Sequence, residues 1–267
     1  MISTQQPWAE LYETLRDHEG DRPYAEVLAP WLAAHPGEVA WIADFARRTA
    51  DDWGRATEDD LAVLYALSRT TALLLLPFQE GERDFAGPAV TVDDFRRFHE
   101  ALGFRVVEEG GFHPFFHEIT RVEEADDDGA PAEVARELWP ALMLGEMMYC
   151  RAGCVVRAGR RHVAKEIAEG STLYWAFRRR DRPCQDESHG WGSNSQWRTR
   201  FRRDYRSPAG FHYNVDAETR LDGIEGEVDG VPAEVLREVV RHRALVRSTV
   251  GDTDELFPYR YTLTDPR

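Results

Sequence analysis

An α+β fold is predicted for this chain, with a helical N-terminal half packed on a mainly antiparallel sheet and a C-terminal helix. Three observations predict it. Apolar residues recur at helical spacing from residue 6 to residue 103. Beyond Phe104, short runs of β-branched and aromatic residues alternate with turn signals. Val231 to Ala244 then returns to the helical period. The expected division is a helical region over 1–103 and an α+β region over 104–267, folded as one compact unit.

The elements follow in order. Trp8, Leu11, Tyr12 and Leu15 share one helical face, as do Tyr24, Val27, Leu28, Trp31 and Leu32. Pro36-Gly37 breaks the chain before a third face of Val39, Ile42, Phe45 and Ala46. Thr57 with Asp60, and Thr91 with Asp94, have capping-box spacing ahead of apolar runs, and Pro77 stops the first of these helices. Phe104–Glu109 and Phe115–Glu123, separated by Gly110-Gly111, read as a hairpin. The acidic run from Glu123 to Gly129 lacks calcium-loop spacing and reads as a solvated loop. Ala132–Tyr149 has a helical composition interrupted by Pro140 and Gly145. Cys154–Arg157, Thr172–Phe177 and Phe211–Val215 read as strands, and Phe257–Leu263 as an added edge strand. Trp197, Phe201 and Tyr205 are four apart, which fits one face of a helix or of a strand.

Composition bounds the function. The 267 residues carry a net charge of −15, which argues against general nucleic-acid or anionic-membrane binding. No apolar stretch reaches the ~18 residues of a membrane span, and Leu73–Phe78 is far shorter. The three cysteines, Cys150, Cys154 and Cys184, make no disulfide framework and fit a reducing cytoplasm. The opening residues Met1–Trp8 lack a signal-peptide pattern. Lys165 is the one lysine among 33 basic residues, so a Schiff-base mechanism would have to use it.

One segment runs against the overall charge. Residues 151–206 hold 14 Lys and Arg against six Asp and Glu. A positive region in a negative chain attracts anions, and guanidinium forks match phosphate, sulfate and carboxylate. Within it, the polar loop Gln185–Ser195 lies between two arginine clusters. The expected site takes Arg178, Arg180, Arg198, Arg200 and Arg202 as anion ligands, with Trp191, Asn194 and Tyr205 beside them. His189 is the acid or base, since imidazole exchanges protons near neutral pH, and Asp186 orients it. Glu118 is a further candidate base. Arginines in an acidic chain also pair with its own carboxylates, which is the competing expectation.

Other chemistries were weighed on their motifs. His113 and His117, four apart, could join a carboxylate in a metal site, the runner-up reading. Cys150 and Cys154 lack the third thiolate of an iron–sulfur set. Walker, dinucleotide and GxSxG signatures are missing from the sequence. The expected function is a cytoplasmic biosynthetic enzyme, without cofactor, acting on a small phosphorylated, sulfated or carboxylated substrate by acid–base catalysis, in a group transfer, elimination or cyclisation with an anionic leaving group. The alternatives are a His/His/carboxylate metalloenzyme and a non-catalytic acidic binding or immunity-type protein. A protein partner or an oligomer is compatible with each.

Overall fold

A computed structural model describes residues 4–49, 53–81, 87–108, 110–188, 197, 199–249, 256 and 258–266. It has the α+β architecture, with seven α-helices and a mainly antiparallel large sheet among these residues. The chain divides into two compact units, and neither is a continuous segment. The first comprises 1–106, 142–146 and 175–201, and the second 107–141, 147–174 and 202–267. The chain therefore passes between them five times.

The first unit is helical: α1 (Gln6–Asp17), α2 (Ala29–Ala34), α3 (Pro36–Phe45), α4 (Glu58–Leu74) and α5 (Val92–Ala101). Both expected capping boxes form. Thr57 accepts from the Asp60 amide while Asp60 accepts from the Thr57 amide, and Thr91 and Asp94 repeat the exchange. Each such cap is worth about 1 kcal/mol. Pro36 opens α3 in the first turn, where its missing N–H costs nothing. Trp8 of α1 packs on Trp31 of α2, with ring centroids 4.5 Å apart.

α4 is the core of this unit and is buried on nearly all sides. With the turn that follows, Glu58–Phe78 is 21 residues long and its most apolar 18-residue window has a mean hydropathy of 1.6, enough to cross a membrane by length and composition. This corrects the shorter apolar stretch read from the sequence. Of its most apolar window 83% is buried inside the structure, as in a core helix.

The second unit contains two sheets. In the smaller, β2 (His117–Glu124) runs parallel to β6 (Ala152–Ala158), and β3 (Glu133–Trp139) is antiparallel on the other side of β6. Helix α6 (Lys165–Gly170) packs on β2, enclosing Ile119, Val122, Cys154, Val156, Val163 and Ala168. The larger sheet here runs in the order β5 (Met147–Cys150), β9 (Asp204–Ser207), β10 (Gly210–Tyr213), β14 (Tyr261–Pro266) and β11 (Thr219–Arg220). A small ribbon of β12 (Glu227–Val228) and β13 (Val231–Pro232) leads into α7 (Ala233–His242). The short strands β1 (Arg105–Val107), β4 (Ala141–Leu144), β7 (Leu173–Tyr174) and β8 (Cys184–Gln185) complete the set among the described residues.

Several expectations are corrected. Phe104–Glu109 and Phe115–Glu123 do not pair as a hairpin, because β1 neighbours β4 and β2 neighbours β6. Ala132–Tyr149 is not helical but three strands, β3, β4 and β5, broken at Pro140 and at the Gly145 turn. Gly145 has φ +60° and approaches the Ala46 carbonyl so closely that a Cβ would lie 2.1 Å from it. The strand expected over Thr172–Phe177 stops at Tyr174, since Trp175 is left-handed at φ +56°. The last strand is internal, lying between β10 and β11. Tyr205 and Trp197 fall in different units, so the four-residue aromatic spacing marks no single element.

One packing contact carries a prediction. A Cβ on Gly153 of β6 would lie 2.3 Å from three ring atoms of Trp139, whose indole N–H is held by the Arg151 carbonyl at 2.9 Å. Gly153→Ala is expected to destabilise by about 1–3 kcal/mol, the cost of overpacking. Urea denaturation tests this, and adding Trp139→Leu should recover part of the loss if the clash is its cause.

Candidate functional site

Among the described residues, the arginines of this stretch are divided between the two units, at Phe201 and Arg202. Arg178 is exposed in the first unit, and the Arg180 backbone amide donates to the Gln79 side chain at 3.0 Å. Arg200 pairs with Glu58 at 2.6 Å on the surface. Arg202 belongs to the second unit, where it donates to the Tyr259 carbonyl and lies over the Tyr259 ring. Tyr205 is buried on β9, with its hydroxyl accepting from Arg203, which is itself clamped to Asp216. His189, Trp191, Asn194 and Arg198 lie outside the described residues.

Asp186 is a buried hub of the first unit. It accepts from the Tyr65 hydroxyl at 2.7 Å, the Ser188 amide at 2.9 Å and the Ser188 hydroxyl at 2.5 Å. Burial and the neighbouring carboxylate raise the Tyr65 hydroxyl well above its ordinary range, so it stays a donor. One helical turn along α4, the Arg69 guanidinium is stacked 3.8 Å from the Phe177 ring centroid and 4.1 Å from that of Trp197. These contacts place Phe177, Asp186 and Trp197 against α4.

Glu118, His113 and His117 lie in the second unit. Glu118 and His117 are buried at the start of β2. Both histidines serve the turn before that strand. His113 accepts from the Phe115 amide through Nδ1, and the His117 Nδ1 lies 3.0 Å from both the amide and the carbonyl of His113. Among the described residues no three His, Cys, Asp or Glu side chains are placed to share a metal ion. Cys150 and Cys154 are buried and in no disulfide, and burial raises the Cys154 thiol far above its usual range. Ser207 and His212 form a 2.8 Å hydrogen bond, but the Ser207 oxygen also accepts from the Ala209 amide and braces the β9–β10 turn.

The sequence reading missed the cleft along α7. The 3.6-residue period divides this helix cleanly: Val235, Leu236, Val239 and Val240 are buried, while Glu234, Arg237, Glu238, Arg241 and His242 line the cleft. His162, Val246 and Arg247 close it, and its volume is about 200 Å³. Drug-sized ligands occupy pockets of ~300–1,000 Å³, so this one suits a smaller molecule.

The charged groups lining the cleft are unequally committed. Glu238 accepts from the amides of Val246, Arg247 and Ser248 and from the Ser248 hydroxyl. Its burial raises the carboxyl, but these four donors outweigh it and hold the group below its usual value. Arg241 is clamped to both carboxylate oxygens of Asp265, at 2.5 and 2.7 Å. Arg237 donates through one nitrogen to the carbonyls of Leu221 and Ile224. Arg247 reaches the Arg161 carbonyl at 3.4 Å. Among the described residues, neither Arg237 nor Arg247 has a carboxylate within ion-pair distance. His162 is exposed, with Nε2 3.1 Å from the Gly129 carbonyl.

Beneath the C-terminal end of α7 lies a buried ionic cluster. Arg151 donates to the Arg241 carbonyl at 2.7 Å, satisfying a helix-end acceptor. Arg151 and Arg243 both reach the same oxygen of Asp204, each at 2.9 Å, while the other oxygen accepts from the Asn214 amide. Two guanidinium groups thus share one carboxylate, leaving one positive charge in excess within this trio. His242 feels the result. Burial first, then Arg151, push its imidazole down to about 3, so it is neutral near pH 7. The Phe112 ring stacks parallel to it, with centroids 6.2 Å apart.

Comparison with known proteins matched no family model, no curated protein and no solved structure. The site's chemistry therefore rests on its residues. The one sequence signal that could have found it is the polar arc of α7, with Arg237 and Arg241 one turn apart above an apolar face.

Proposed function

We propose that the protein is an enzyme acting on a small anionic substrate by acid–base chemistry, and that the polar face of α7 holds this substrate. The observation that carries the reading is the pair Arg237 and Arg247, cleft guanidinium groups with no carboxylate partner among the described residues. The excess positive charge of the Arg151–Arg243–Asp204 trio adds to the attraction. His162 is suited to proton transfer. When its Nε2 donates to the Gly129 carbonyl, Nδ1 is left as the acceptor. His242, held neutral, serves as a hydrogen-bonding wall. Guanidinium groups in the same cleft would steady charge on a departing phosphate, sulfate or carboxylate. A reducing cytoplasm fits the three cysteines, none of which is in a disulfide.

The test is thermal unfolding with phosphate, sulfate and small dicarboxylates, on the wild type and on the Arg237→Ala/Arg247→Ala pair. A ligand at a hundred times its Kd stabilises by about 2.7 kcal/mol, which raises Tm by roughly 5–10 °C in a protein of this size. The wild type should show such a shift with at least one anion, and the double variant should lose it. If no anion shifts the wild type, the non-catalytic binding-protein reading replaces this one. Once a substrate is found, His162→Ala should lower kcat. A loss confined to His189→Ala would instead place the proton transfer in the polar loop.

A further inference from the structure

We propose that the ligand of the α7 cleft carries an amino group beside its anionic group, and that Glu234 is the residue that reads it. The inference rests on the anion-site reading above and narrows its substrate class to amino acids and their phosphorylated or dicarboxylic forms. The argument comes from how each charge in the cleft is used. Glu238 already accepts from four donors of the protein, three on one oxygen and one on the other, so most of its accepting capacity is used. Arg241 is committed to Asp265. Glu234 differs. It lies on the same lining, one turn before Glu238, and no hydrogen bond or ion pair engages it among the described residues.

Its natural helical partner is spoken for. Arg237 stands three residues on, the spacing at which Glu and Arg pair on a helix. It turns instead to the Leu221 and Ile224 carbonyls, and no Glu234–Arg237 ion pair forms. Among the described residues, the cleft therefore offers two cations bonded to backbone carbonyls but to no carboxylate, Arg237 and Arg247, and one anion, Glu234, with no partner. A simple dianion would gain from the first two and be repelled by the third. An amino acid satisfies all three, with its carboxylate or phosphate on the arginines and its ammonium on Glu234. Specificity of this kind combines an attractive contact with a penalty against the wrong ligand. Glu234 is exposed, so water screens its contribution, and discrimination of about tenfold is expected rather than a complete block.

Calorimetric titration of the full chain at pH 7.5 with matched pairs tests this. The pairs are L-glutamate with glutarate, L-aspartate with succinate, and O-phospho-L-serine with 3-phosphopropionate. For at least one pair the amino form should bind about tenfold tighter. Glu234→Gln, an isosteric change at an exposed position, should bring the two members within about twofold. Glutarate, succinate or 3-phosphopropionate binding as tightly as its amino partner in every pair that binds would overturn the inference and leave the anion site standing. An unchanged preference in Glu234→Gln would also overturn it. If none of the six binds and inorganic phosphate is silent too, the anion site itself falls.

Discussion

Replacing Asp204 with alanine is expected to destabilise the protein by about 3–5 kcal/mol, the cost of removing one partner from a buried ion pair. Its carboxylate is 5% exposed and is shared by Arg151, 2% exposed, and Arg243. Without it both guanidinium groups keep their charge with no counterion in the trio. Burial alone would raise the Asp204 carboxyl, but Arg243, Arg151 and the Asn214 amide overcome that and hold it below its usual value. Its contribution is therefore complete above the unfolded carboxyl pKa of about 3.9, and it is lost as pH falls through the lower folded value. Arg243→Met should behave differently. It leaves Arg151 and Asp204 as a balanced pair, so its cost should stay near 1 kcal/mol, as for a partly exposed partner. Urea unfolding of the two variants at pH 7 gives the comparison. Equal losses would show that the two arginines do not share the carboxylate as described.

Acid should weaken the protein well before its carboxylates titrate. His99 is fully buried on α5, with Nδ1 donating to the Phe95 carbonyl and Nε2 accepting from Thr71. Burial lowers its pKa to about 4, and His242 is lowered to about 3. In the unfolded chain both return to about 6.5. The sign follows: below pH 6.5 the unfolded state takes up protons that the folded state refuses, so stability falls with pH. From pH 8 to pH 5 the loss is about 2 kcal/mol for each histidine. Urea midpoints across that range should fall steadily, and His99→Gln should flatten the slope by about half. A flat profile in the wild type would mean that these imidazoles are protonated in the folded state.

The sequence was most legible where structure is local. Thr57 with Asp60 and Thr91 with Asp94 announce helix starts because a capping box closes within four residues. The inner face of α7 was readable for the same reason. Leu142–Leu144 and Met147–Cys150 were not, because short apolar runs buried on every side fit either period. Pro140 and Gly145 were the better guide there, as strand ends rather than helix interruptions. The arginines show the limit at the site. Their number is plain in the sequence, but the carboxylate that occupies Arg200 is Glu58, 142 residues away. The cleft draws on His162 and on residues 234–247, and what marks it is which charges are left over once every partner is assigned. No local pattern encodes that.

The discontinuous first unit has a consequence for how the protein is made. Its first 106 residues leave the ribosome 95 residues ahead of Phe201, the last it needs. At ~5–20 residues per second this is a wait of roughly 5–20 s, far longer than helices take to form. During that time the Leu61 carbonyl has no Phe201 amide to receive, and the Tyr65 hydroxyl has no Asp186. The long buried helix α4 thus lacks part of its packing in the nascent protein.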